Sequence, residues 1–322
     1  MKILFVWTGV TSYMADSWRA LAAQPGVELK VIVEQVASGR EFVAAKVLAG
    51  LDYTLVAPSS ADQPQALNLQ SAFQPDIIFA VGWHSKVVRT CVAVYPDVKK
   101  ICCFDMPWRW LPRCVAARFV LRSWVKKFAA AYVPGAEAAK YAKWLGFCRV
   151  ERGLFAIDQS KFAAADLSKK VRHVLTKSGF FYAGRFSPEK RVDLIEKAFR
   201  RYQELGGTWS FDCYGGKNFL QPEEMARVFR EKACLLLASS FDPWPLVMLE
   251  AKAAGCEVIA SDRCGNADEL GAIKVPYGDV EAMARAMLAV ERGKRSCFNY
   301  DRLSEYDVAA WAVRTMKIAE EA

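Results

Sequence analysis

Two positive side chains stand five residues apart in the stretch Phe180-Phe181-Tyr182-Ala183-Gly184-Arg185-Phe186-Ser187-Pro188-Glu189-Lys190. The apolar run reads as a buried strand ending at Gly184, Ser187 suits a helix N-cap, and Pro188 suits the first helical position. Arg185 and Lys190 are therefore predicted to flank a helix N-terminus at the carboxyl end of a strand. Two cations and the positive end of a helix dipole at that place would hold a diphosphate. The spacing alone also fits a surface Arg and Lys on a solvated helix. A second stretch, Ser239 to Asp262, carries two carboxylates, Asp242 and Glu250, with seven residues between them. It reads as a strand end, a tight loop through Pro243-Trp244-Pro245, a helix stopped by Gly255, and another strand.

The elements that must position these groups follow from the rest of the chain. Short apolar runs alternate with helical patterns, as β-α-β units building parallel sheets do. The strand candidates are residues 3–7, 29–33, 77–81, 100–103 and 130–133 in the first half, and 179–183, 209–214, 234–238, 257–260 and 273–275 in the second. The length, 322 residues, suits two domains with full cores. With 53% apolar and 25% charged residues, a disordered or low-complexity chain is excluded. Residues 155–178 are weakly periodic and polar, and form the candidate linker. Two doubly wound domains place ligands at the carboxyl ends of their strands, so a cleft between them is the expected site of a two-substrate reaction. After the first strand stands Thr8-Gly9-Val10-Thr11-Ser12, which is no G-x-G-x-x-G, and no G-x-x-x-x-G-K-[ST] occurs. Both absences weigh against NAD-binding and P-loop readings. The ten Cys are scattered with no C-x-x-C pair, which reads as reduced thiols of a cytosolic protein. The first apolar run, five residues long, is too short for a signal-peptide core or a membrane span.

The two chemical stretches together resemble the donor-binding half of glycosyltransferase family 4, the group 1 glycosyltransferases. Asp242 and Glu250 hold the family's two acidic positions, and Gly184-Arg185 to Lys190 matches its Gly-Arg-x-x-x-x-Lys. Tyr214-Gly215-Gly216 is similar to its glycine turn and Gly265-Asn266-Ala267-Asp268-Glu269 to its Gly-x-x-x-Glu. Val275 to Met283 resembles its closing strand and helix start, and Val150-Glu151-Arg152-Gly153 to Phe162 the beginning of its linker. The likeness is strong over residues 179–290 and only topological before about residue 130. It implies an α/β, GT-B architecture: two Rossmann-like, doubly wound parallel-sheet domains facing a central cleft. Residues 1–160 would form the acceptor-binding domain and 161–303 the nucleotide-sugar domain, with a helix in 304–322 packing back on the first.

By the same resemblance the reaction is a retaining, metal-independent transfer of a hexose from a nucleotide sugar to an acceptor hydroxyl, in bacterial surface polysaccharide, lipopolysaccharide or glycolipid synthesis. No cofactor is implied and the chain has no D-x-D; UDP-sugar is favoured over GDP-sugar as donor. Arg185 and Lys190 would grip the diphosphate and neutralise the leaving group. Glu250 would bind the ribose hydroxyls and Asp242 the donor sugar. Gly9, Gly184, Gly215, Phe219, Leu246 and Val247 complete the expected donor contacts. Asp242 in place of the family's Glu shortens the carboxylate by one methylene, and Pro245 in place of Gly removes a backbone N–H. Only 17 residues separate Gly216 from Cys234, where the family usually has a full extra helix. Of the two His, His84 follows a strand end and is one catalytic candidate in the first domain. Asp105, near the position where the family often has a His, is the other; each is also readable as a locally satisfied polar residue. His173 falls in the linker and is assigned no role.

Net charge is +9, and it is lopsided: residues 1–165 hold 20 Lys+Arg against 12 Asp+Glu, and residues 166–322 hold 24 against 23. The first half is thus expected to face something anionic. From Met106 to Ala136 there is no acidic residue, while Arg109, Arg113, Arg118, Arg122, Lys126 and Lys127 interleave with Trp108, Trp110, Phe119, Trp124 and Phe128. On one continuous helix Arg118, Arg122 and Lys126 stack on one face, with Val120, Leu121, Trp124 and Phe128 largely opposite. Two readings fit: a half-buried helix with a solvated basic face, or an interfacial segment docking on anionic lipid through Arg113, Arg118, Arg122, Trp124, Lys126 and Lys127. The expected location is cytoplasmic, peripheral on the inner face of the plasma membrane. The expected partners are a nucleotide sugar and a glycan or lipid-linked acceptor, with no nucleic acid, since no nucleic-acid-binding motif is present. A sugar-nucleotide epimerase on the same scaffold, and a basic binding protein with a decayed donor site, are the two rival readings.

Overall fold

A computed structural model describes residues 1–35, 41–57, 73–109, 111–162, 177–216, 220 and 222–322. The chain divides into two compact units, one of Met1–Ile157 with Glu305–Ala322, the other of Asp158–Ser304.

The first unit is built on a seven-stranded sheet of order β3-β2-β1-β4-β5-β6-β7. Its strands are β1 (Lys2–Thr8), β2 (Glu28–Glu34), β3 (Asp52–Val56), β4 (Ile77–Val81), β5 (Lys99–Cys103), β6 (Ala130–Val133) and β7 (Val150–Arg152). Every adjacent pair is parallel. The central strands are apolar at nearly every position because both faces are covered. Alternation along β1 divides them. Phe5 stacks on Phe79 of β4 (ring centroids 4.7 Å apart) and meets Trp18 of α1 (Ser12–Ala22) and Trp311 of the C-terminal helix at 6.0 and 5.9 Å. Leu4 and Val6 point the other way, into a core with Val88 and Cys91 of α3 (Lys86–Val94) and Tyr141 and Ala142 of α6 (Ala136–Leu145). A short α2 (Glu41–Val47) precedes β3. The C-terminal helix spans Val308–Glu321; its N-cap Asp307 accepts from the Ala309 N–H, and the Trp311 indole donates to the Leu154 carbonyl at 2.7 Å.

Three expectations for this unit are corrected. Val150–Arg152, read from sequence as the beginning of a linker, is the edge strand β7, held to β6 by its ladder and closed by Gly153 at φ +92°. Strand β3 was not expected; its residues are half-exposed at the opposite edge, so their pattern lacks the continuous apolar run of the interior strands. The basic segment is not one helix. It forms α4 (Pro112–Val120), breaks at Leu121, and resumes as the single turn α5 (Arg122–Val125). The break rotates the faces. Leu121, Val125 and Phe128 are buried, whereas Phe119 and Val120 stand 73% and 74% exposed among the exposed Arg113, Arg118, Arg122, Lys126 and Lys127. Trp124 is half-buried against Phe128, with Lys127 over its ring. Trp110 lies outside the described residues.

The second unit has a five-stranded sheet of order β12-β11-β10-β8-β9. Its strands are β8 (Phe180–Ala183), β9 (Phe211–Tyr214), β10 (Cys234–Leu237), β11 (Glu257–Ser261) and β12 (Ile273–Val275), all pairing in parallel. The connecting helices are α7 (Val192–Glu204), α8 (Pro222–Glu231), α9 (Val247–Ala253) and α10 (Val280–Glu291). Helix α8 occupies the short span between Gly216 and Cys234. From β8 the chain passes to β9 on one side, then returns to β10 on the other. The strand order therefore reverses between β8 and β10, and in an open α/β sheet ligands bind at the carboxyl ends of such a pair. Of the candidate linker, residues 163–176, His173 among them, lie outside the described residues, while Ile157 pairs with Asp307 in the first unit.

Candidate active site

The carboxyl ends of β8 and β10 gather the charged residues. Past β8 the ladder continues one step, the Gly184 N–H donating to the Tyr214 carbonyl at 3.0 Å. A Cβ on Gly215 would lie 2.0 Å from the Gly184 carbonyl oxygen, so this close crossing requires glycine at Gly215. The Tyr182 hydroxyl, kept protonated by burial, donates to the Arg185 carbonyl at 2.7 Å and shapes the turn that presents Arg185 to solvent.

The segment after that turn differs from the sequence expectation. Ser187 caps no helix; its hydroxyl donates to the Glu189 carboxylate at 2.6 Å. Pro188–Lys190 form one 3-10 turn, and α7 begins only at Val192, after Arg191 in the left-handed region at φ +50°. Arg191 is fixed there by both oxygens of Asp193 and by the Tyr277 hydroxyl. The reason lies in the neighbouring strand. Ser240, just past β10, donates its N–H to the Glu189 carbonyl at 2.7 Å, pinning the turn over the end of β10. Lys190 is thereby carried to Asp242, with Nζ 2.5 Å from Oδ2.

Asp242 is itself held from both sides. Its N–H donates to the Arg263 carbonyl and its carbonyl accepts from the Gly265 N–H, at 3.2 and 2.8 Å. The Asn266 amide donates to the Pro245 carbonyl at 3.1 Å, and the Ser261 hydroxyl to the Ser239 carbonyl at 2.6 Å. Burial pushes the Asp242 carboxyl above its ordinary value, while Lys190, the Trp244 backbone and the more distant Arg185 pull the other way. A Cβ on Gly265 would fall 2.1 Å from the Pro243 carbonyl oxygen. Gly265→Ala is expected to force the loop apart and to lower the stability of this unit by about 1–3 kcal/mol in urea unfolding; an unchanged midpoint would mean that the loop yields freely.

Glu250 sits in the first turn of α9, half-buried. Burial alone pushes its carboxyl up to about 7, and among the described residues no hydrogen bond or ion pair reaches it. Leu246 and Val247, at the start of the same turn, have backbone N–H groups that meet no acceptor among the described residues, as first-turn donors do. Phe219 lies outside the described residues.

Arg185, Lys190, Asp242, Leu246, Val247 and Glu250 thus come from the ends of adjacent strands of one sheet, with Gly184 and Gly215 beside them. Gly9, His84 and Asp105 belong to the first unit, where they follow the neighbouring strands β1, β4 and β5. Gly9 has φ +73° and donates to the Glu34 carbonyl; His84 is exposed with its ring 5.5 Å from that of Trp83; Asp105 is half-buried and acts electrostatically on Tyr13. Sequence reading assigned no part to Ser240, Asn266 or Tyr277, which position the loops. Asn266 was legible only as a member of the Gly265–Glu269 segment; the other two act through contacts that no local pattern encodes.

Residues 177–292, which hold every charged group of this arrangement, match the sequence model of the glycosyl transferases group 1. The second unit carries a group 1 glycosyltransferase domain. No curated protein matches the chain. Among solved structures, the chain is similar to Anabaena HepE, solved in complex with UDP and glucose, at a TM-score of 0.71 and 13% identity over 100% of both chains. It is likewise similar to the sucrose-phosphate synthase of Thermosynechococcus elongatus, at 0.70 and 14% over 100% of this chain and 98% of that one. A lipopolysaccharide outer core galactosyltransferase matches at 0.66 and 13%, again over 100% of both chains. At such identities the likeness is one of fold, and the fold is GT-B. The glycosyltransferase domain contributes the five-stranded half of it.

Proposed function

We propose that the protein is a retaining, metal-independent glycosyltransferase that moves a hexose from a UDP-sugar to a hydroxyl of a glycan or lipid-linked acceptor. The observation that carries this reading is the placing of Arg185, the Lys190–Asp242 pair and Glu250, whose carboxyl has no partner among the described residues, on the segments that follow β8 and β10, where the strand order of the domain reverses. In the transition state the bond from the anomeric carbon to the diphosphate oxygen breaks as the acceptor oxygen bonds to that carbon on the same face, so that the anomeric configuration is retained. Negative charge grows on the diphosphate, where two fixed cations are worth most. Arg185 and Lys190 meet it, so the charge of the leaving group is answered by side chains. The Glu250 carboxylate accepts hydrogen bonds from the ribose hydroxyls, which supply donors that the described residues do not. Asp242, anchored on both flanks, sets the place of Lys190 and contacts the sugar. In the first unit, Asp105 and His84 are the candidates to receive the acceptor hydroxyl's proton.

HepE, solved with UDP and glucose, supports a uridine donor, and the galactosyltransferase supports a bacterial surface glycan as product. The basic stretch of α4 and α5 supports work at the inner face of the plasma membrane; among the described residues no helix is long and apolar enough to cross a membrane. Calorimetric titration with UDP and GDP tests the donor assignment. UDP is expected to bind at micromolar concentration and GDP more weakly, and the failure of both to bind would overturn the reading.

A further inference from the structure

The first unit carries a groove that neither the donor machinery nor the sheet edge near His84 and Asp105 uses. It is a shallow, solvent-open depression between α4 and α6, offering about 440 Å³ and lined by Trp108, Arg118, Lys140, Lys143 and Trp144. The two indoles form one wall, with ring centroids 4.7 Å apart and planes tilted by 53°. The Arg118 guanidinium lies 5.3 Å over the Trp144 ring and donates to the Trp144 carbonyl at 2.7 Å, which fixes it in place. Lys140 is paired with Glu137, whereas Lys143 has no acidic partner among the described residues. Three cations against one carboxylate leave the groove with a net positive charge. Beyond Arg118 the same helix ends in Phe119 and Val120, the two most exposed large apolar side chains of the described residues.

We propose that this groove seats the phosphate head group of an anionic membrane lipid while Phe119 and Val120 enter the acyl boundary beside it. The inference deepens the membrane-facing reading above and rests on it. A guanidinium fixed in place and two ammonium groups match a phosphodiester. Indoles suit the depth at which head groups lie, having an apolar body and a polar edge. A soluble phosphate would satisfy the cations but leave two side chains, each about three-quarters exposed, in water. A lipid satisfies both demands at once. Trp108 stands three residues after Asp105, so a head group held here fixes the carboxyl edge of this sheet close to the membrane surface, where a lipid-linked acceptor hydroxyl is found.

The test is co-flotation with vesicles of phosphatidylcholine, with and without 30 mol% phosphatidylglycerol, at constant ionic strength. Three double variants of the full chain are compared after their melting temperatures are shown to equal that of the wild type. They are K140Q/K143Q in the groove, R113Q/K126Q with the same charge removed outside it, and F119S/V120S at the apolar tip. Wild type is expected to float with the anionic vesicles only, and F119S/V120S to lose most of that binding. The groove variant should lose at least tenfold more affinity than R113Q/K126Q, whose loss is that of two surface charges. Equal losses in the two charge variants would overturn the groove while leaving the membrane reading standing. Failure of the wild type to float with anionic vesicles would overturn both. Displacement from the vesicles by millimolar glycerol phosphate would assign the groove to soluble phosphoesters instead and overturn the lipid assignment.

Discussion

Lys190→Ala is expected to lower kcat/KM for sugar transfer by about 10²–10³-fold, the loss seen when one fixed electrostatic partner of a developing anion is removed. The same substitution strands Asp242, which is 7% exposed, without its cation. Removing one member of a desolvated pair destabilises more than the pair itself contributes, so unfolding should become easier by about 3 kcal/mol. The two effects can be separated. In Lys190→Ala/Asp242→Asn no buried charge is left unpaired, and stability should return while transfer stays low. Urea unfolding and initial rates on the same preparations decide the matter, and undiminished transfer by the single variant would remove Lys190 from the chemistry.

The second large effect concerns Glu250. Its carboxyl is raised by burial from 4.5 to about 7, so the folded protein prefers the protonated form. Because the folded value lies above the unfolded one, ionisation costs stability. The cost is absent below about pH 4.5, grows as pH rises towards 7, and is complete above that. At about 1.4 kcal/mol per unit it approaches 3 kcal/mol at pH 8. Glu250→Gln, which cannot ionise, should therefore be more stable than the wild type at pH 8 by up to about 3 kcal/mol and equal to it near pH 4.5. Thermal unfolding at the two pH values reads this directly, as a gain of several degrees at the higher pH only. The variant should meanwhile lose donor binding, since an amide offers one acceptor oxygen where the ribose hydroxyls need two. In the wild type, bound ribose favours the ionised carboxylate, so UDP should bind with release of a proton near pH 7 and more tightly as pH rises through it. Calorimetry in two buffers of different ionisation enthalpy would show the release, and buffer-independent heats would place Glu250 outside the nucleotide contact. A side chain that destabilises the free domain and is relieved by its ligand has a functional rationale, not a structural one.

Much of the fold was legible in the sequence. The strands of the second unit announce themselves as apolar runs such as Cys234–Leu237, because a parallel sheet covered on both faces admits little else. The placing of Arg185 and Lys190 after a strand suggested a diphosphate site beside the alternative of a solvated helix, and the pentose came only from the resemblance to the group 1 glycosyltransferases. The turn between β8 and α7 was misread because Ser187 and Pro188 satisfy the local rule for a helix start, and the rule lost to a tertiary constraint. The anchoring of the Glu189 carbonyl by Ser240, 51 residues on, holds the chain in a 3-10 turn until Arg191. The basic helix failed in a similar way: periodicity counts on an unbroken axis, and the break at Leu121 turned Phe119 and Val120 outward.

The sequence by itself determined which residues carry charge and where the buried strands run, since these depend on residue type and on contacts a few positions apart. The tertiary structure alone decided that Lys190 meets Asp242 across 52 residues, that burial raises the Glu250 carboxyl while no partner reaches it among the described residues, and that the indoles of Trp108 and Trp144 share a wall with Arg118. Ion pairing and desolvation are set by distance and burial in space, and a linear chain fixes neither until its strands are ordered.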